Sequence, residues 1–287
     1  MTNNPLASYE AFDGLRGGAM TSPTPVSPEH FPSRATGWGV LESSVSNAEA
    51  LWRAFAAARG HRVIDEPAWL VVDAGNDIGG TRVILRGPVT GAVQRASLNR
   101  LVESARRPVV VEDSFATVNL HAQGLVPGSL SVMGAGPLTL DAVPTEERPD
   151  ITVRRVAGHE GRLLEAERIV VEGFPLTTYQ PYQPGRLLPA GLLQMPHISV
   201  FVADFLGTPS GACMTVKDTH GVGGIYWVAV LPERRSAGIG RALMLAAMRE
   251  LAGLPMVLCA TPQGAPLYLK LGFETALEST YWGRHPT

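Results

Sequence analysis

The chain has 287 residues, 45% of them hydrophobic and 17% charged, with a formal net charge of −2. That length supports two modest domains or one large one, each with its own core. No basic stripe or acidic tail is present, which argues against a nucleic-acid partner and for small-molecule chemistry or protein contact. No apolar run approaches the roughly 20 residues that span a bilayer, and the N-terminus lacks the apolar core of a signal peptide. The expectation is a soluble, cytoplasmic monomer or homodimer with no membrane partner.

Residues 1–35 are rich in Pro, Ser, Thr and Gly and read as a loosely attached arm. Ser46-Asn-Ala-Glu49 has capping-box spacing and predicts a helix that starts there, carries Leu51, Trp52, Phe55 and Ala56 on one face, and ends near Gly60. Apolar runs at 69–72 and 82–85 predict strands. Residues 91–107 predict a helix with Leu98, Leu101, Val102 and Ala105 on one side, and 109–111 and 130–133 predict short strands. The stretch 138–150, with Pro144 and Pro149, reads as a linker.

A strand at 151–156 opens the second half, followed by a helix at 161–172 with Leu163, Ala166, Ile169 and Val170 on one face. A proline-rich loop holding Tyr179 and Tyr182 leads to three strands at 198–204, 212–217 and 225–231. A glycine-rich turn then opens a helix over 241–251, closed by Gly253 and Pro255. A strand at 256–260, a short helix at 265–271 and a strand near 277–282 finish the chain. Cys213 and Cys259 lie in apolar, strand-like runs and read as small core residues rather than as a disulfide or a zinc site. The seven histidines show no metal-ligand spacing, so no metal is expected.

The chemistry is carried by the turn Arg235-Ser236-Ala237-Gly238-Ile239-Gly240, which joins a strand to a helix. The first turn of a helix has backbone N–H groups without intrahelical partners, and the helix dipole adds partial positive charge there. A pyrophosphate supplies matching acceptors and charge. Gly238 and Gly240 let the backbone approach phosphates closely, and Arg235 and Arg241 can add charge-assisted contacts. Downstream stands a second motif, Leu267-Tyr-Leu-Lys-Leu-Gly-Phe273.

Together the two motifs resemble the GNAT superfamily of acyl-CoA N-acyltransferases. Arg235 to Gly240 is similar to the family signature Arg/Gln-x-x-Gly-x-Gly/Ala, and Leu267 to Phe273 to Leu-Tyr-x-Lys-x-Gly-Phe. The resemblance covers residues 151–282 and implies a mixed sheet flanked by helices, with acetyl-CoA as acyl donor and a small-molecule or peptide amine as acceptor. It implies that the backbone of Val228, Ala229 and Val230 pairs with the pantetheine arm as an added strand would, and that residues 235–241 hold the pyrophosphate. It also implies that Tyr268 protonates the leaving thiolate, to which a phenol is matched within about two pKa units, and that the fourth and fifth strands of the domain splay apart beside it. Two departures stand out: Thr261 occupies a position where many members carry Asn, and Gly224 stands near the place of the usual basic Glu. Glu172 and His220 are the remaining candidates for a base.

The first half repeats features of the second at an offset of about 147 residues. Residues 95–108 match 241–255, and Leu120-His-Ala-Gln-Gly-Leu125 matches Tyr268 to Phe273, with Leu120 in place of the tyrosine. The segment 88–94 keeps one glycine where the active half has two. The expected organisation is an α/β chain of tandem GNAT-like units. It comprises an arm (1–35), a shortened, degenerate unit (36–140) and a catalytic unit (151–287). The rival expectation is an acyl-CoA-binding sensor or partner-binding module without turnover.

Overall fold

A computed structural model describes residues 39–283, except 76, 78, 106, 107, 146, 147, 159, 175, 177 and 178. The arm expected at 1–35 lies outside the described residues. Helix α1 (Val40–Arg59) is followed by strands β1 (Arg62–Glu66), β2 (Trp69–Asp73) and β3 (Thr81–Leu85), helix α2 (Ala92–Ser104), and strands β4 (Val109–Asp113) and β5 (Val126–Ala135). The second half runs through β6 (Ile151–Arg155), α3 (Glu160–Gly173), β7 (Ile198–Phe205), β8 (Thr208–Lys217), β9 (Gly223–Val230), α4 (Ile239–Glu250), β10 (Met256–Ala260), α5 (Ala265–Lys270) and β11 (Glu274–Gly283).

All eleven strands form one mixed sheet in the order β1-β2-β3-β4-β11-β5-β10-β9-β8-β7-β6. Each half contributes a three-stranded antiparallel ladder, β1-β2-β3 or β7-β8-β9, whose last strand pairs in parallel with the next, β4 or β10. Helices α2 and α4 make those two parallel crossovers. The centre is built by exchange: β5, from the first half, lies between β10 and β11, while β11, from the second half, lies between β4 and β5. The two exchanged strands pair antiparallel with each other over their full length.

The two faces have separate cores. On one, α3, α1 and the loop 174–197 cover Val200, Val202, Ala212, Met214 and Ala229. On the other, α4 packs Leu243, Met244, Ala247 and Met248, spaced at one helical turn, against Phe201, Ala203, Cys213 and Ile225. In the first half α2 covers the β2–β3–β4 face that shares its core with Trp282 of β11. The opposite face carries α1, which packs on Leu70, Val72 and Ile84.

Several expectations need correction. Helix α1 starts at Val40 behind Gly39, so Ser46 is an interior residue whose hydroxyl donates to Asp218 Oδ2 at 2.8 Å rather than to its own helix end. Strand β1 was not expected, because Arg62-Val-Ile-Asp-Glu66 is polar and mostly exposed at the sheet edge. Strand β5 is ten residues long and includes Pro127 and Gly128, whereas only 130–133 was expected to be extended. Pro127 is tolerated because β10 reaches only as far as Ser131, so the missing N–H faces no neighbouring strand. Helix α4 begins at Ile239, which places Ile239 and Gly240 in its first turn. Cys213 is buried as expected, whereas Cys259 is half-buried and lies 3.3 Å from the Tyr281 hydroxyl.

Candidate active site

The strand β9 decides the geometry. Its register with β8 slips between Ala212 and Met214, and Trp227 sits at the bulge with φ 50°, an outlier for a bulky side chain. On its other side β9 pairs with β10 only at Gly223 and Val257's neighbour Met256, and at Gly224 and Val257. Beyond that point the two strands part, so Ala229 and Val230 have ladder partners only on the β8 side, and Val228 lies in the bulge with a partner on neither side. The bulge thus leaves a strand edge open inside the sheet, where an extended chain can add.

The opening leads to the start of α4. Ser236 (φ 63°) and Gly238 (φ 87°) are left-handed, a turn geometry that gathers backbone N–H groups into an anion-binding concavity. Gly238 is the N-cap, and no side chain caps the helix. A Cβ on Gly240 would stand 3.5 Å from Leu267 and 3.8 Å from Val230, so the bare glycine keeps open the space between β9 and α5. Ile239 is a core residue. Arg235 is exposed, and one of its Nη atoms donates to the Gly173 carbonyl at 2.8 Å, tying the end of α3 to this turn. Gly173 is itself in close contact with β9, since a Cβ there would lie 3.1 Å from Ala229. Sequence reasoning missed Arg148, which pairs with Asp150 and donates to the Ala237 carbonyl at 3.0 Å, fixing the turn from the linker side.

Tyr268 lies on α5, 8% exposed, packed against Phe273 at 6.3 Å between ring centroids. Burial pushes its phenol well above the ordinary range, with the nearby Cys213 adding a smaller push in the same direction. The Thr261 hydroxyl accepts from the Gly264 N–H at 3.2 Å and so shapes the turn before α5. Leu267 of α5 lies beside Gly240, so the glycine turn, α5 and the open edge of β9 meet where β9 and β10 part. Such a strand edge can pair with an amide-bearing arm, and the N–H groups at the helix start can receive a pyrophosphate.

A second feature lies on the α1 face. A cavity of about 70 Å³ is lined by Trp52, Phe55 and Arg59 of α1 and by Arg82 of β3. Tyr179 and Arg186 of the loop 174–197 and Trp227 at the bulge close it. His61 and Asp77 lie at its outer part, 3.0 Å apart. Phe55 and Trp227 meet edge to face with centroids 5.4 Å apart. Of the two tyrosines in that loop, Tyr179 lines the cavity. Tyr182 instead lies 2.9 Å from the Leu164 carbonyl and 3.0 Å from the Glu167 carboxylate.

Glu167, fully buried on α3, was not foreseen. Its carboxylate accepts from the N–H groups of Gly185 at 2.6 Å and Leu188 at 2.9 Å, and also from Leu187 and the Tyr182 hydroxyl. Those bonds compensate the burial of the charge and hold the pocket loop. A buried acid on an apolar helix stripe was the available signal.

Neither candidate base is in this cavity's lining. Glu172 pairs with Arg168 one turn back at 2.8 Å, and His220 is exposed in the turn before β9. Gly224 has no room for a side chain: a Cβ would fall 1.9 Å from Asn47 Oδ1. Asn47 is fully buried on α1, donates to the Val216 and Val222 carbonyls at 3.2 and 2.9 Å, and accepts from the Tyr226 hydroxyl at 2.8 Å. The first-half helix α1 thus occupies the space that a carboxylate at position 224 would need.

Residues 196–275 match the family model described as the acetyltransferase (GNAT) domain. The fold is similar to that of a GCN5-related N-acetyltransferase from Kribbella flavida, at 17% identity and a TM-score of 0.57 over 84% of this chain and 96% of that one. A functionally unknown conserved protein from Staphylococcus epidermidis aligns at 14% identity and a TM-score of 0.53, over 80% and 96%. A GCN5-related N-acetyltransferase-like protein from Streptococcus suis aligns at 15% and 0.50, over 83% and 100%. No curated protein matches the sequence. The C-terminal half of the chain has the GNAT fold, and the likeness in fold extends over most of the chain. Among the described residues no helix is long and apolar enough to cross a membrane.

Proposed function

We propose that the chain is an acyl-CoA-dependent N-acyltransferase that moves an acetyl group from acetyl-CoA to the amine of a small molecule or peptide. The observation that carries this reading is the gap where β9 and β10 part, bounded by the uncapped start of α4 and by α5, the helix that carries Tyr268. Val228, Ala229 and Val230 hold the pantetheine amides along the open edge. The N–H groups of residues 236–241, with Arg235 and Arg241 beside them, receive the pyrophosphate. Thr261 holds the turn before α5.

In the reaction, the acceptor nitrogen attacks the thioester carbonyl carbon, a C–N bond forms and the C–S bond breaks. The departing thiolate takes the Tyr268 proton, the phenolate is reprotonated from solvent, and the amine proton leaves to water. Burial keeps Tyr268 protonated at rest; the same shift makes it a weaker acid than an ordinary phenol and widens the gap to the thiolate.

The first half reads as a decayed copy that no longer binds CoA. Its corresponding strands β3 and β4 stay paired over four positions, so no gap opens. The turn before α2 is filled by Arg95, which donates to the Thr90 carbonyl at 2.6 Å. Copy and original still share a local bond: Leu125 N–H donates to Leu120 O at 3.2 Å, as Phe273 N–H does to Tyr268 O at 3.1 Å.

One observation favours a second reading, a non-catalytic acyl-CoA sensor: the place of the usual carboxylate is taken up by Asn47. Thiol release from acetyl-CoA, followed across a panel of primary amines, separates the two. Amine-dependent release is expected. Tight acetyl-CoA binding with no release by any amine would support the sensor instead.

A further inference from the structure

The acceptor cavity has a chemical gradient along α1. Phe55 stands beside Trp227 at the bulge, where the reacting amine must come. One turn further along the helix is Arg59, so the route from the bulge to its guanidinium group is roughly 10 Å, one ring contact plus one helical turn. The wall between is aromatic: Trp52 packs on Phe55 at 5.6 Å, and the Arg82 guanidinium lies 3.7 Å above the Trp52 ring.

Arg59, Arg82 and Arg186 line the cavity, with the Asp77 carboxylate paired to Arg59 and Glu112 paired to Arg82. Arg59 is held in place by the Asp77 carboxylate at 3.2 Å and by the carbonyls of Gly185 at 3.3 Å and Arg186. Arg186 is exposed, and its one hydrogen bond to a described side chain is to Gln183 at 2.9 Å. Tyr179 lines the same cavity as these three arginines, and burial pushes its phenol up to about 12 against their opposing pull. The Tyr179 hydroxyl donates no hydrogen bond to a described residue. A neutral amine would leave this cluster without a complement.

Resting on the acyltransferase reading, we propose that the cavity selects acceptors in which the reacting amine is joined, through a flat apolar or aromatic body, to an anionic group held by Arg59, Arg186 and the Tyr179 hydroxyl. The anion is a carboxylate or a phosphate-type group, both of which a guanidinium binds through paired N–H donors. The first half, having lost the CoA gap, supplies one wall of this acceptor site through α1 and β3.

The test compares thiol release from acetyl-CoA with benzylamine, para-carboxybenzylamine and para-phosphonobenzylamine as acceptors. At least one anionic amine is expected to exceed benzylamine in kcat/KM by about tenfold or more, and the better of the two identifies the anion. Arg186 is exposed, so its substitution spares the core. Arg186→Glu is expected to reduce or invert the preference through KM, and Arg186→Gln to bring the ratio towards one. Equal kcat/KM for the three amines, or a preference unchanged in Arg186→Glu, overturns this inference while leaving acyl transfer intact. Absence of acetyl-CoA binding by calorimetry overturns the acyltransferase reading, and the inference falls with it.

Discussion

At the scale of single residues, the proposed reaction assigns the proton donation to Tyr268. Its position on α5 and its raised phenol pKa, caused first by burial, mean that it holds its proton beyond the ordinary phenol value of 10.0. An alkaline fall in kcat below that pH therefore belongs to another group. Tyr268→Phe keeps the contact with Phe273 and removes only the donor. Turnover is expected to drop about 100-fold with CoA affinity almost unchanged. Steady-state kinetics and calorimetry on one preparation check this, and wild-type kcat in the variant would remove Tyr268 from the mechanism. Both motif glycines, Tyr268 and Thr261 were legible in the sequence because their spacing is local. Arg148, Glu167 and Asn47 were not, because their partners lie 89, 18 and 169 positions away.

At the scale of elements, α4 and β7 to β9 were readable from strong periodic patterns, and their ends moved by only a few residues. Strand β1 was not readable, since an edge strand needs no apolar face. Helix α1 was recognised but its role was not. It bridges the halves, with Val45 and Ala56 over the first-half strands and Leu51, Ala54 and Phe55 in the second-half core. Asn47 fastens it to β8, β9 and their connecting turn. Asn47→Ala removes the donor to the Val216 carbonyl and one of two donors to the Val222 carbonyl, which keeps the Asp218 N–H at 2.9 Å, and leaves the Tyr226 hydroxyl without its acceptor in a buried setting. The variant is expected to lose about 2 kcal/mol or more of stability in urea unfolding. A change well under 1 kcal/mol would show that the helix is held by its apolar contacts alone.

At the scale of the whole molecule, the exchange of β5 and β11 makes the two halves interdependent. Sequence reading divided the chain at a linker over 138–150. Nothing local indicates that β5 completes the sheet beside β10, because strand pairing across 120 or more positions leaves no periodic trace. A fragment of residues 151–287 lacks β5 and leaves the facing edges of β10 and β11 unpaired. It is expected to aggregate or to pair with a second copy rather than to melt cooperatively as a monomer. Size-exclusion chromatography with circular dichroism reads the outcome, and a stable folded monomer would mean that β5 is dispensable.

The central claim is that one gap, between β9 and β10, binds CoA, while the paired β3 and β4 do not. Calorimetric titration of the full chain with CoA, repeated with Gly240→Val, tests it most directly. The account predicts one site per chain. Affinity should fall by at least about tenfold, roughly 1.4 kcal/mol, when a side chain fills the space beside Val230 and Leu267. Two equivalent sites, or unchanged affinity in a folded Gly240→Val protein, would contradict it.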